Sequence, residues 1–546
     1  MEKIKFLTIR LFSVVILILF VFSSCNDDYL QEIPEGFLSP ENTFTSKEGF
    51  KSGINDLYRI SRNIGVTVDD NFPGLVYIER DKSTTALYGA GTDLCWYWNK
   101  IDYFSDYSLI NSFHATPQNY WIIFYTLIKG ANVMITRSDA EEMKWDNEND
   151  KLLIQAKARF FRALAYRYLV HLYGDVPIID EEIVSPKLDF SRNSKSEVYS
   201  FIVADLEFAT QYLPVANNKD GSITKAAADQ LLAEMYISIG EFDKSIQASS
   251  RIIDDSQYHL MTERFGTMTD KPGDVFWDLF RLGNQNNTAN AEVIWAWQVE
   301  YNVPGGMVEY RIERQWGPLL SKLRAADGKA AILLDEILGN PVGFIRPSIY
   351  LEYTIWQSDW DNDIRNSEYN MQRKFYVNNP ASANFGEEII PKASDTLRNH
   401  FVYIKKASHP YGHPQGWDRL GRLCSDIYAM RLAETYLLRA EAYLGKGDKT
   451  KAAADINVVR SRANATPVVA ANVDIDYILD ERARELVIEE PRRLTLSRLG
   501  LLDDRVKKYN PVSAPSIQEF HNLWPIPQTE IDANLGSELS QNPGYN

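Results

Sequence analysis

From Ala158 onward the apolar residues Phe161, Ala165, Tyr168 and Leu172 recur at alternating intervals of four and three, and Gly174 and Pro177 close the run. Spacing of this kind lines up on one face of an α-helix and on neither face of a strand. Ser194 and Glu197 then form a capping-box signature ahead of Val198, Ile202, Leu206, Ala209 and Leu213, in which each side chain satisfies a backbone N–H at the helix start. Ala228, Leu231, Met235 and Ile239 continue the stripe, and Met430, Ala433, Leu437, Ala440 and Leu444 redraw it far downstream, followed by Ala452, Ile456, Val459 and Ala463. The two helix pairs also align with each other. Glu234, Tyr236 and Gly240 ahead of Glu241–Ser245 have the spacing of Glu441, Tyr443 and Gly447 ahead of Asp448–Ala452. Each pair is predicted to be a tetratricopeptide-type hairpin, with small residues for close packing and glycine ending the first helix.

Between the pairs, over about 260–423, the period fails and Pro, Gly, Asn and aromatic residues dominate, which predicts loops and short strands. Glu292–Gln298, with Val293, Ile294, Trp295 and Trp297, has the composition of a strand whose tryptophans pack inward, and 500–546 lacks periodicity. The expected fold class is mainly α: a helical-hairpin scaffold over about 44–253 and 424–490 with a large irregular insert. No linker or low-complexity tract divides residues 25–546, so one large domain is expected.

The first residues set the location. Lys3, Lys5 and Arg10 precede twelve residues, Leu11–Phe22, that are apolar except for Ser13, and Ser23-Ser24-Cys25 follows. Twelve is short of the roughly 20 residues a spanning helix takes. The arrangement is similar to the lipobox of a bacterial lipoprotein, which makes 1–24 a signal peptide and Cys25 the lipidated residue of an outer-membrane anchor. The acidic Asn26-Asp27-Asp28 resembles a surface-export signal. Cys95 and Cys424 are too far apart in sequence for a metal motif and too few for a disulfide framework, while one bridge between them stays open. The formal net charge is -16, which disfavours nucleic acid, whose phosphates call for a basic patch.

Several ordered motifs resemble one family. Phe44–Phe50 leading to Tyr58, Tyr120-Trp121 through Ala131-Asn132, Ala158–Tyr166 continuing to Leu172–Pro177, and Arg431–Ala442 match the SusD/RagB family over nearly the whole chain. Glu481–Leu486, Leu523–Pro527 and Gln541–Tyr545 extend the match, whereas Pro491 and Leu499 depart from the family pattern. The resemblance implies a SusD-like fold, no catalysis and no cofactor. It also implies an extracellular-facing lipoprotein that captures oligosaccharide for a SusC-like TonB-dependent transporter.

A sugar offers flat CH faces between hydroxyls, so its site needs an aromatic platform beside amide, carboxylate or guanidinium groups. Trp96-Tyr97-Trp98-Asn99 supplies that combination, and in an extended chain Trp96 and Trp98 project to the same side. Asp69, Arg80 and Tyr301 are candidate neighbours. Trp316, Trp356 and Trp360 are candidates for a second contact or for the transporter interface. The counts of 30 Tyr and 12 Trp fit a carbohydrate or protein surface.

Other chemistries fit less well. His409 and His413 are separated by Pro410 and Gly412, which prevent the helix that would aim both rings at zinc, so no metal site is expected. Asp359, Asp361 and Asp363 begin like a calcium loop, but Ile364 replaces the required glycine, so a solvated acidic turn is expected. Arg492, Arg493 and Arg498 near Glu485 and Glu489 are expected to form a structural charge network. The competing functional reading is an outer-membrane scaffold of tetratricopeptide type, or a family variant that binds peptide.

Overall fold

The computed structural model describes residues 43–65, 85–99, 105–141, 143–301, 303, 305–306, 311–412 and 423–545. The signal peptide, Cys25, Asp69, Arg80 and His413 lie outside the described residues. The helices of eight or more residues are α1 (Lys47–Gly65), α2 (Ala115–Ser138), α3 (Glu148–Tyr173), α4 (Lys195–Tyr212), α5 (Lys225–Ser238) and α6 (Phe242–Ile253), then α7 (Leu432–Gly445), α8 (Lys449–Arg462), α9 (Ile475–Leu486), α10 (Arg492–Leu499) and α11 (Leu502–Tyr509). Among the described residues no helix is long and apolar enough to cross a membrane.

Successive helices from α1 to α6 pack on one another, as do α7 and α8. Helix α3 is the axis of the arrangement. The sequence stripe predicts one buried face, yet every residue from Phe160 to Tyr173 is buried, because α2, α4 and α10 all pack against it. Its polar residues tolerate this by finding partners, as buried charges must. Arg162 donates to Asp205 of α4 at 2.7 Å and to Asn132 of α2 at 2.7 Å, and Arg167 clasps Glu234 of α5 at 2.8 and 2.5 Å.

The two hairpins have the same joint. Gly240 and Gly447 adopt φ of 79° and 80°, a left-handed conformation that only glycine enters without strain. The next N–H then reaches back to the same place in each: Glu241 to the Tyr236 carbonyl at 2.8 Å and Asp448 to that of Tyr443 at 2.9 Å. Even the buried acid of each first helix takes an arginine from outside its hairpin, Arg167 for Glu234 and Arg498 for Glu441. Helices α6 and α7 pack directly, so the repeats form one continuous layer across the insert between them. The capping box on Ser194 and Glu197 is formed as the sequence indicates.

The insert contains short antiparallel pairs: β1 (Cys95–Tyr97), which precedes it, with β3 (Ile345–Pro347); β2 (Val293–Trp297) with β6 (Ile427–Arg431); and β4 (Met371–Gln372) with β5 (Tyr403–Ile404). Trp295 and Trp297 are buried, Trp295 edge-on to Phe160 and Trp297 donating to Ser61. The insert shares one apolar core with the helices, to which Trp295, Trp316, Ile345 and Trp356 contribute, and buried ions add a second tie. Glu485 accepts from Arg365, Arg431 and Arg462, while Glu481 accepts from Arg365, Arg460 and Arg484, and all of these residues are buried.

Three expectations change here. Asp359 and Asp363 are buried, pairing with Arg460 and Arg365 at 2.6 and 2.7 Å, so the acidic turn is an anchor of this network and not a solvated loop. Arg492 and Arg498 do form structural ion pairs, but with Asp93 and Glu441 in place of Glu485 and Glu489, and Arg493 donates to the Ala86 carbonyl. Helix α11 and a short helix at Gln528–Ala533 occupy a C-terminal stretch that has no sequence period, because both are too short to show one.

Candidate functional site

The segment carrying Trp96 and Trp98 is held from below by the C-terminal helices. Asp93 is buried and receives Arg492 at 2.6 and 3.0 Å and Arg505 at 3.0 Å. Burial pushes its carboxyl up, but the two guanidinium groups outweigh that and hold it below the ordinary carboxylate value. Asn510 donates to the Thr92 and Cys95 carbonyls, and Arg493 reaches the Ala86 carbonyl and the Tyr107 hydroxyl. The strand β1 is therefore a fixed edge. It pairs with β3 in the register Trp96 opposite Arg346, and the Trp98 N–H extends the ladder to the Phe344 carbonyl at 3.0 Å.

Strand alternation sends Tyr97 into the core, where it is 1% exposed and its hydroxyl meets that of Thr85, so Tyr97 offers no surface to a ligand. Trp96 is also largely covered, at 7% exposure, with the Arg346 guanidinium 6.0 Å from its ring. The two-ring platform anticipated from the spacing thus reduces to Trp98, which is half-buried, with Asn99 exposed beside it. The Arg398 guanidinium lies 4.1 Å from the Trp98 ring centroid, within cation–π range. Arg398 is positioned by donating from Nε to the Val342 carbonyl at 3.1 Å and accepting at its own carbonyl from Leu319. That approach needs Gly343: a Cβ there would stand 2.6 Å from the Arg398 carbonyl oxygen, and its φ is 64°.

Tyr301 is half-buried in a turn beyond β2, which pairs with β6, whereas Trp98 follows β1, which pairs with β3. Its neighbours Glu300 and Val303 line an open polar cavity of about 530 Å³ shared with Asn55, Arg59, Arg62 and Asp220. Trp316 and Trp356 are each 1% exposed and serve as core, whereas Trp360 is 42% exposed. Arg398, Phe344 and Arg346 escape sequence reasoning because the strand pairing that brings them to Trp98 spans about half the chain. Cys95 and Cys424 are both buried and form no disulfide. Among the described residues no cluster of His, Cys, Asp and Glu could hold a metal ion, and Asp359 and Asp363 are already committed to arginine.

The model of the SusD family matches residues 347–545, and a second family model, described as starch-binding associating with outer membrane, matches 73–237. A SusD-like protein, P25, of Formosa agariphila is 25% identical over 98% of this chain and 99% of its own length. The chain belongs to the SusD family. The starch-binding protein SusD of Bacteroides thetaiotaomicron is 24% identical over 83% of this chain and 84% of its own length. Among solved structures, a SusD homolog from Bacteroides thetaiotaomicron superposes with a TM-score of 0.71 at 18% identity, covering 95% of this chain and 100% of that one. A laminarin-binding SusD-like protein gives 0.67 at 21% identity over 91% and 99%. These likenesses show that the mainly helical architecture is the SusD-like fold.

Proposed function

We propose that this SusD-family chain is a cell-surface glycan-binding protein, not an enzyme, that captures oligosaccharide or polysaccharide and delivers it to a SusC-like TonB-dependent transporter. The observation that carries the reading is Trp98: a half-exposed indole at the end of a strand fixed by buried ion pairs, with a guanidinium against it and an exposed amide, Asn99, next in the chain. A pyranose presents a CH face to such a ring and hydroxyls to such donors and acceptors. Rigidity matters because a platform ordered before binding loses little entropy on capture. Relatives support the reading: a surface glycan-binding protein A from Bacteroides thetaiotaomicron, 19% identical over 91% of this chain and 99% of its own, with a TM-score of 0.67, has been solved in complex with laminarihexaose.

Asp69, Arg80 and Tyr301 are assigned in this proposal as polar and aromatic neighbours of the sugar. Cys25 is assigned as the lipidated residue that holds the protein at the outer membrane with its body facing outward. Two acyl chains suffice for stable anchoring. Isothermal titration of the chain against laminarihexaose, maltoheptaose, xylohexaose and mannohexaose tests the reading. Binding to one of them that Trp98→Ala weakens at least tenfold, about 1.4 kcal/mol, is the expected result. No heat with any of these, or with the matching polysaccharides, moves the assignment to capture of peptide or to a scaffold.

A further inference from the structure

Trp360 is the only exposed tryptophan among the described residues. Its ring lies nearly parallel to that of Tyr353, which is 40% exposed, at an interplanar angle of 9° and a centroid separation of 6.1 Å. The Arg373 guanidinium stands 4.7 Å from the Trp360 centroid and 5.8 Å from that of Tyr353. Arg373 has no freedom to wander: its Nη2 donates to the Glu352 carbonyl and to Asn366 Oδ1, both at 2.7 Å, and its Nη1 donates to the Met371 carbonyl at 3.1 Å. Buried Asn366 in turn donates to the Trp360 carbonyl at 2.8 Å, and the buried ion pair Asp359–Arg460 holds the residue just before it. Large apolar side chains gain by burial, so an indole kept outside by this much buried hydrogen bonding is placed there for contact.

We propose that Tyr353 and Trp360 form a second glycan-contact platform, one that takes the CH face of a neutral pyranose in a polysaccharide whose other units engage Trp98. This inference rests on the glycan reading above. Neutrality follows from the surroundings: Asp361, next to Trp360 in the chain, and Glu368, which accepts from the Arg373 backbone N–H, are both exposed, the chain carries -16 overall, and the guanidinium against both rings, that of Arg373, donates to protein acceptors. An acidic polymer would meet repulsion there, whereas the two carboxylates can accept from sugar hydroxyls.

The two platforms are parts of one rigid body. Arg346, opposite Trp96 in the β1–β3 ladder, pairs with Glu352 at 2.6 Å, and the Glu352 carbonyl is the acceptor that fixes Arg373 under Trp360. Tyr353 follows Arg346 by seven residues, which limits its distance from the ladder to roughly 25 Å. A long chain can therefore occupy both platforms while a short one occupies a single platform, and the second contact acts through effective concentration.

The test uses the full chain purified in detergent. Affinity electrophoresis is run in gels containing amylopectin, laminarin, xylan or mannan, beside calorimetry with a hexasaccharide of the linkage that retards it. Trp360→Ala and Tyr353→Ala are expected to weaken polysaccharide binding about tenfold while leaving the hexasaccharide within twofold, with Trp360→Phe retaining most of the affinity. Trp98→Ala is expected to lose both. Unchanged retardation of Trp360→Ala in a gel that retards the parent overturns the second platform and leaves the glycan reading intact. Equal loss toward polymer and hexasaccharide, accompanied by a lowered melting temperature, overturns it as well, because the residue would then be structural. So does a loss confined to co-purification with a membrane partner. No retardation of the parent in any gel defeats both proposals together.

Discussion

Two buried carboxylates of the helical hairpins, Asp229 and Asp455, and two of the seam between insert and scaffold, Glu481 and Glu485, behave in opposite ways. Asp229 and Asp455 in the hairpins each face one arginine, Arg251 and Arg439, and burial outweighs that single partner, so both carboxyls are raised above their ordinary value. Glu485 and Glu481 in the seam are equally deprived of water, yet each faces three arginines, which outweigh burial and hold the carboxyls down, Glu481 to about 2. Across these four carboxylates, three facing guanidinium groups against one set the sign. Apolar stripes hold the hairpins together with ion pairs as accessories, whereas the insert lacks periodic apolar faces and is attached by scattered core residues such as Trp316 and Trp356 together with a charge lattice.

The largest expected effect tests that lattice. Glu485→Gln keeps the volume and leaves Arg365, Arg431 and Arg462 short of one shared anion. Removing one member of a buried ionic network costs about 3–5 kcal/mol, which a urea midpoint measures directly. Asp455→Asn leaves only Arg439, whose position is partly exposed, and is expected to cost about 1–2 kcal/mol. Equal costs at the two sites would break the distinction between them.

Acid sharpens it. A carboxyl lowered in the folded state stabilises fully above its unfolded value and loses that contribution as pH falls through the folded one. For Glu481 the window runs from 4.5 down to about 2. A raised carboxyl does the reverse, and Asp229 and Asp455 favour the folded state as pH drops through their raised values. Thermal midpoints measured from pH 7 to pH 2.5 are expected to hold or rise slightly at first and then to fall steeply below about 4.5. In Glu481→Gln that fall is smaller. A steady decline from pH 7 would put the hairpin acids in the same class as the seam.

The same distinction explains what the amino-acid order discloses. The hairpin helices are legible because their contacts are local: three- and four-residue spacing at Phe161, Leu206 or Leu437, the Ser194 cap, and the glycines at 240 and 447 all act within a turn or two. The seam is illegible because Arg365, Arg431, Arg460 and Glu485 meet only after the insert has folded back across tens of residues, and an isolated arginine or acid gives no sign of a partner. The same holds at the site. Trp98 is visible as an aromatic beside an amide, but that Trp96 would be covered, Tyr97 buried and Arg398 placed on the Trp98 ring depends on the pairing of β1 with β3. Trp316, Trp356 and Trp360 look alike in sequence, and only packing divides two core residues from one exposed ring.

Smaller effects belong to the joints and surfaces of the hairpins. Gly447→Ala forces a Cβ into φ of 80° with open space around it, so conformational strain alone acts, and the expected loss is about 1 kcal/mol. Gly240→Ala, in the same conformation and equally open, should match it within measurement error, and a marked inequality would break the equivalence of the two repeats. The smallest effect is at Lys446 and Asp243, the ion pair that bridges α7 to α6 across the insert in sequence, with side chains 41% and 73% exposed. Water already solvates both partners, and holding two long side chains together opposes the attraction, so Lys446→Met is expected to change stability by less than about 0.5 kcal/mol. That small difference should shrink further in 1 M salt, where screening acts over about 3 Å, while the loss in Glu485→Gln should persist because no salt ion reaches its arginines. If Lys446→Met cost as much as Glu485→Gln, charge number and burial would not be what separates the seam from the hairpins, and the continuity of the repeat layer would depend on its surface.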